Sequence, residues 1–235
     1  MWMIAHRGTI GLSQPNLIEG LHDLPGEIDG VEIDVRVTAD GVAVVHHDAE
    51  IKADSGESLV IADAQYLEIR ATTLSGGGRV PRLQDYLFAC HHRALKQVYV
   101  DIKLPSPTGI DSVLAVVQQS RLREQIRLMT KSVDVAGAIH DHLPSQSVIF
   151  LRVSEKNLEQ ALELYSDGLV DCLVPRPRDK FIDENPEFLG LLMRNGVAVG
   201  VSIINKPENL RSAKEIGCEF AITDQPLLAQ SAASG

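Results

Sequence analysis

Glu32 and Asp34 are separated by one residue in Val31-Glu32-Ile33-Asp34-Val35, and His46-His47 follows across an Asp40-Gly41 dipeptide. Alternation along a strand puts both carboxylates on one face. Asp-Gly between two apolar, β-branched runs signals a hairpin with a two-residue type I′ turn. That turn sets Val37 opposite Val44 and Asp34 directly opposite His47. Two carboxylates and an imidazole then share one small volume in an apolar strand. Buried carboxylates must be paired or bound to a metal ion.

More reactive groups fall at the ends of other apolar runs. The first run leads into His6-Arg7-Gly8, and a later one, Tyr99-Val100-Asp101-Ile102-Lys103, places Asp101 and Lys103 on one face. Glu32, Asp34 and Asp101 together form an all-oxygen donor set suited to one divalent cation, Mg²⁺ or Ca²⁺. Zinc fits less well, because the histidines lack ligand spacing and no cysteine is near. His6 and His47 can serve as a general acid and a general base. Arg7 and Lys103 add fixed positive charge suited to a phosphoryl group. Taken singly, each residue means little; their joint placement at successive strand ends carries the reading.

The elements that must position these residues alternate. Strands are expected at 2–5, 30–35, 42–46, 98–102, 126–129, 147–151, 170–174, 197–201 and 220–223. Helices are expected at 83–96, 110–119, 134–143, 155–166, 186–194 and 207–216. This βαβα rhythm predicts a parallel sheet covered by helices, with eight strands closing into a barrel. The ninth strand, 42–46, follows a short turn and must run antiparallel, folding back over the barrel mouth. Residues 49–81 are polar, contain Gly76-Gly77-Gly78, and read as a surface excursion within a single domain spanning 1–235. In such barrels the reacting groups collect at the C-terminal ends of the strands.

Composition narrows the partners. The chain has 235 residues, 44% hydrophobic, and a net charge of −10. The acidic balance argues against a nucleic-acid partner, while a small phosphorylated substrate remains compatible through a bound cation. Cys90, Cys172 and Cys218 are widely spaced and read as reduced core thiols. Neither a secretory leader nor an apolar run of membrane-spanning length is visible. The expectation is a cytoplasmic protein, with an oligomeric state that the sequence does not specify.

Together these motifs resemble the glycerophosphodiester phosphodiesterase family. Its pattern of His-Arg-Gly, Glu-Leu-Asp-Val-Arg, Thr-x-Asp-Gly, His-Asp, acidic-x-Lys and Ile-Thr-Asp-x-Pro is matched along nearly the whole chain. The matching segments are His6-Arg7-Gly8, Glu32-Ile33-Asp34-Val35-Arg36, Thr38-Ala39-Asp40-Gly41, His47-Asp48, Asp101-Ile102-Lys103 and Ile222-Thr223-Asp224-Gln225-Pro226. The resemblance implies a TIM (β/α)₈ barrel of the phospholipase C-like phosphodiesterase superfamily and metal-dependent cleavage of a phosphodiester. It implies Glu32, Asp34 and Asp101 as ligands, with His6 and His47 as the acid/base pair.

Three departures stand out. Pro15 replaces an acidic residue of the Pro-Glu-Asn-Thr segment, which here reads Gln14-Pro15-Asn16-Leu17. Asp101 stands where the family usually has Glu, as it does in the related spider-venom-type sphingomyelinase D enzymes. Val201-Ser202-Ile203 replaces a Trp-Thr pair that faces the substrate, and Trp2 is the only tryptophan. These changes bear on glycerol recognition more than on chemistry. Lys131, Arg152 and Arg176 follow later strands and are expected at the barrel mouth, to clasp a second anionic or polar group. The expected reaction is hydrolysis of a small phosphodiester, sugar-linked or more anionic than glycerophosphocholine, to an alcohol and a phosphomonoester. Two alternatives stand beside it: an inactive barrel binding a phosphometabolite, and a phospholipase D-like lyase that stops at a cyclic phosphate.

Overall fold

The computed structural model describes residues 1–10, 14–175 and 186–227. Eight parallel strands form the sheet: β1 (Trp2–Ala5), β2 (Gly30–Val37), β6 (Gln97–Ile102), β7 (Ile126–Thr130), β8 (Val148–Val153), β9 (Cys172–Pro175), β10 (Val201–Ser202) and β11 (Phe220–Thr223). Their order is β10-β11-β1-β2-β6-β7-β8-β9. Leu173 N donates to Ala198 O and Gly200 N donates to Leu173 O, which closes β9 against the chain leading into β10. The result is the expected TIM barrel.

Period two divides each strand between two cores. Ile4, Tyr99, Met129, Ile149, Cys172, Phe220 and Ile222 fill the barrel interior. Their neighbours, such as Val31, Val98, Leu128 and Phe150, pack outward under the helices. Those helices include α2 (Leu83–His92), α3 (Ile110–Gln119), α4 (Val133–His142), α5 (Leu158–Ser166), α6 (Pro186–Arg194) and α7 (Pro207–Glu215). All three cysteines are buried and free.

Gly30 opens β2 beneath the carboxylates, and its partner strand comes very close. A Cβ there would lie 2.1 Å from Gln97 O and 2.8 Å from Gln97 C, both backbone atoms of β6. Gly30→Ala is therefore expected to cost about 3 kcal/mol, the upper end of overpacking penalties. Urea unfolding measures it, and a loss within about 0.5 kcal/mol would show that the two strands part freely.

The hairpin differs from expectation by one residue. Strand β3 (Ala43–Val45) pairs with β2 as Val35↔Val45, Arg36↔Val44 and Val37↔Ala43. Asp34 thus lies opposite His46, whose N donates to Asp34 O, and not opposite His47. The cause is a three-residue loop. Thr38 and Val42 close it, Gly41 N donates to Thr38 O, and Gly41 takes a left-handed φ of 78°. That is a type I turn followed by a glycine in the left-handed region, the next commonest hairpin connection after the two-residue forms.

The excursion at 49–81 is ordered. It holds the antiparallel pair β4 (Glu50–Lys52) and β5 (Ser58–Val60), then α1 (Tyr66–Ala71). Ile51, Ile61, Ile69, Leu74 and Val80 pack with Val44 and Leu17 into a small separate core on the outer face of the hairpin.

Candidate active site

Glu32, Asp34 and Asp101 converge because β2 and β6 run in register, with Asp34 beside Asp101, and because their parity points inward. One carboxylate oxygen from each lies within 4.8 Å of the others. Burial pushes the Glu32 carboxyl well above its usual range, and the charges of Asp34 and Asp101 push further. Burial likewise raises Asp101, with Lys103 pulling the other way. At Asp34 burial is outweighed by the Lys103 charge and the Asn16 amide, so this carboxyl sits below its ordinary value. Three carboxylates thus face two fixed cations, Arg7 and Lys103, and crowding them together without a further cation is costly. An all-oxygen donor set with surplus negative charge fits a hard divalent cation.

Fixed partners orient these groups. Arg7 adopts φ 53°, which directs its N–H at Glu32 Oε2 (3.1 Å), while its Nε lies 3.4 Å from Asp34 Oδ2. Lys103 Nζ bridges Asp101 and Asp34, at 2.9 Å from Asp34 Oδ1. Asn16 Nδ2 donates to Asp34 Oδ2 (2.8 Å), and Asp34 N donates back to Asn16 Oδ1 (3.1 Å). Asn16 is buried at φ 64°, a conformation that asparagine tolerates better than most residues.

Both histidines are pinned by a carboxylate through Nδ1. For His6 the partner is Asp224 Oδ1 at 2.6 Å, which leaves His6 Nε2 3.8 Å from Glu32 Oε2. Asn205 holds Asp224 in turn, donating from Nδ2 (2.8 Å) and accepting the Asp224 N–H (2.9 Å). The hydrogen bond with His6 is the main reason the Asp224 carboxyl lies below its usual range. For His47 the partner is Asp48 Oδ1 at 2.8 Å. His47 lies beyond the end of β3, so strand alternation does not aim it. Arg36 does: its Nε and Nη2 both donate to His47 O (2.9 and 2.7 Å), and its Nη1 reaches Lys103 O (3.4 Å).

These groups line one cavity of about 150 Å³, bounded by His6, Arg7, Glu32, Asp34, His47, Asp101 and Lys103 on one side. The opposite side is formed by Met129, Leu151, Val174, Ile203 and Ile222, with Ser202 and Arg152. Of the two expected mouth cations among the described residues, Arg152 lines the cavity and Lys131 does not. Lys131 is exposed and not part of the lining. It falls in the turn between β7 and α4, where Thr130 Oγ1 accepts from Ser132 N and Ser132 caps the helix. Arg176 lies outside the described residues. Asn16, Arg36, Asn205 and Asp224 were not among the expected site residues.

A sequence profile of the glycerophosphoryl diester phosphodiesterase family matches residues 26–228. A probable glycerophosphodiester phosphodiesterase of Mycobacterium tuberculosis is 27% identical over 146 residues, which span 55% of this chain and about half (53%) of that relative. Among solved structures, a glycerophosphodiester phosphodiesterase from Parabacteroides distasonis superposes with a TM-score of 0.80 at 23% identity, covering 99% of this chain and 96% of the other. An Oleispira antarctica phosphodiesterase, solved with the product sn-glycerol-3-phosphate, superposes with a TM-score of 0.84 at 18% identity, covering 100% and 97%. At those identities the superpositions speak for the fold. Among the described residues, no helix is long and apolar enough to cross a membrane.

Proposed function

The chain belongs to the glycerophosphoryl diester phosphodiesterase family, a family of phosphoric diester hydrolases, and from that premise we propose that it cleaves a small glycerophosphodiester by paired histidine catalysis at a divalent-cation site. The observation that carries this reading is the convergence of two carboxylate-pinned histidines on one cavity with Glu32, Asp34 and Asp101. With Nδ1 of each ring engaged, Nε2 is the atom left to move a proton.

Glu32, Asp34 and Asp101 would hold the divalent cation, which when bound would supply Lewis acidity toward the phosphoryl group. Arg7 and Lys103 add fixed positive charge against the same group. One histidine takes the proton of the attacking hydroxyl as the new P–O bond forms. The other gives its proton to the alkoxide whose P–O bond breaks. In this reading a neighbouring hydroxyl of the substrate attacks first, and water then opens the cyclic phosphate through the same pair in reversed roles. Arg36 acts on the chemistry only by positioning, since it fixes the backbone carbonyls of His47 and Lys103.

The test is ³¹P NMR of glycerophosphoglycerol turnover with Mg²⁺ or Ca²⁺ and again in excess chelator. A phosphomonoester is expected with cation and none without. Undiminished turnover in excess chelator would overturn the metal assignment. A cyclic phosphate that accumulates and stays would make the protein a lyase.

A further inference from the structure

Arg152 reaches the cavity against the parity of its own strand. Along β8, Ile149 faces the barrel interior, Phe150 the helices, and Leu151 the interior again. Arg152 should then face outward, yet it lines the cavity, and Val153 packs outward in its place. A register shift against β9 between Leu151 and Val153 marks the bulge responsible, and Arg152 itself adopts φ 62°. That conformation is unfavourable for a residue with a side chain, and such strain gathers where a side chain is being aimed. Without the bulge the guanidinium would be forced under the helices.

Three further observations bear on what it is aimed at. Arg152 has no hydrogen bond or ion pair among the described residues, whereas Lys103 and Arg7 are already engaged with carboxylates. It sits on β8, four strands from β1 in either direction around the barrel, so it faces His6 and Arg7 from the opposite wall. Among the described residues the rest of that wall is apolar apart from Ser202. The reacting phosphoryl group is held from the carboxylate side, which leaves Arg152 for the distal, alcohol part of the substrate.

We propose that Arg152 selects diesters whose alcohol portion carries a second anionic group, a phosphomonoester or a carboxylate, over neutral and cationic headgroups. The proposal rests on the hydrolase reading above for its substrate class. Among the described residues one guanidinium stands on this apolar wall with no aromatic face beside it, an arrangement that offers little to a quaternary ammonium and a bidentate fork to an anion.

Two variants separate charge from backbone. Arg152→Asn removes the charge with a residue that tolerates positive φ, and Arg152→Lys keeps the charge without the fork. kcat/KM is measured with Mg²⁺ for glycerophosphoinositol 4-phosphate, glycerophosphoglycerol and glycerophosphocholine. The preference for the anionic diester over glycerophosphoglycerol should fall roughly 10-fold in Arg152→Asn, the scale of one charge-assisted hydrogen bond, and recover partly in Arg152→Lys. A preference unchanged by Arg152→Asn, or a wild-type preference for the choline diester, overturns the proposal. Calorimetric binding of the same diesters to His47→Ala, with and without Arg152→Asn, gives a second reading. If no diester is turned over yet the anionic one binds more weakly without Arg152, the hydrolase reading falls and the proposal stands. If diesters are turned over and every one weakens alike, the reverse holds.

Discussion

Replacing Asp34 by Asn is expected to lower kcat/KM about 10³-fold or more, the several kcal/mol that a correctly held cation contributes to a charged transition state, while the protein stays folded. Asp34 is the shared point of the site: Asn16, Lys103, Arg7 and the proposed cation all meet its carboxylate. Two effects oppose each other in the metal-free protein. The change removes repulsion that raises Glu32, but it also removes the charge that Lys103 and Arg7 face. Asn retains the side-chain length, and Lys103 keeps Asp101. Thermal unfolding separates the contributions. Wild type should gain Tm on adding millimolar Mg²⁺ or Ca²⁺, because a ligand of the native state stabilises it by mass action, and Asp34→Asn should gain little. An equal rise in both proteins would remove Asp34 from the cation site.

His6→Ala and His47→Ala should each cost about 10²–10⁴-fold in kcat, the usual range for a general acid or base. The double variant should be far less than additive, because a proton relay fails as a unit. A diester with a p-nitrophenolate leaving group assigns the roles. Such a group departs without a proton, so the variant lacking the general acid regains most of its rate and the variant lacking the base does not. Two single variants within a few-fold of wild type on glycerophosphoglycerol would end the paired-histidine mechanism.

What the chain discloses before folding follows from how local each signal is. The strands that carry Glu32, Asp34 and Asp101 are legible because apolar alternation and a polar interruption sit in the same few residues. Their convergence needs only parallel register, which the βαβ rhythm implies. The hairpin register is less legible. Asp40-Gly41 is compatible with both a two-residue and a three-residue connection, and Thr38 decides it by closing the loop onto Val42. His47 still lines the cavity, now through Arg36 holding its carbonyl.

Asn16 and Asp224 leave little local trace for another reason. Each acts on a group distant in sequence, 18 and 218 residues away, so no spacing rule reaches it. Their only local signals are an asparagine in a tight loop and the Ile-Thr-Asp ending of the last strand. Lys131 and Arg152 look alike in sequence, each a cation just past an apolar run. Both are exposed, but a helix cap keeps one away from the cavity and a bulge brings the other to its edge.

The order of the strands around the barrel carries a consequence for how such a protein changes over generations. Of the groups proposed to react, all lie between His6 and Lys103, and Asp224 returns at the end of the chain to steady the first of them. The wall that meets the rest of the substrate comes mainly from residues 129–203, with Ile222 of the last strand added. Heredity therefore finds the two tasks written in different stretches of the gene. A change in the middle of the chain alters what the wall meets without touching Glu32, Asp34, Asp101 or either histidine.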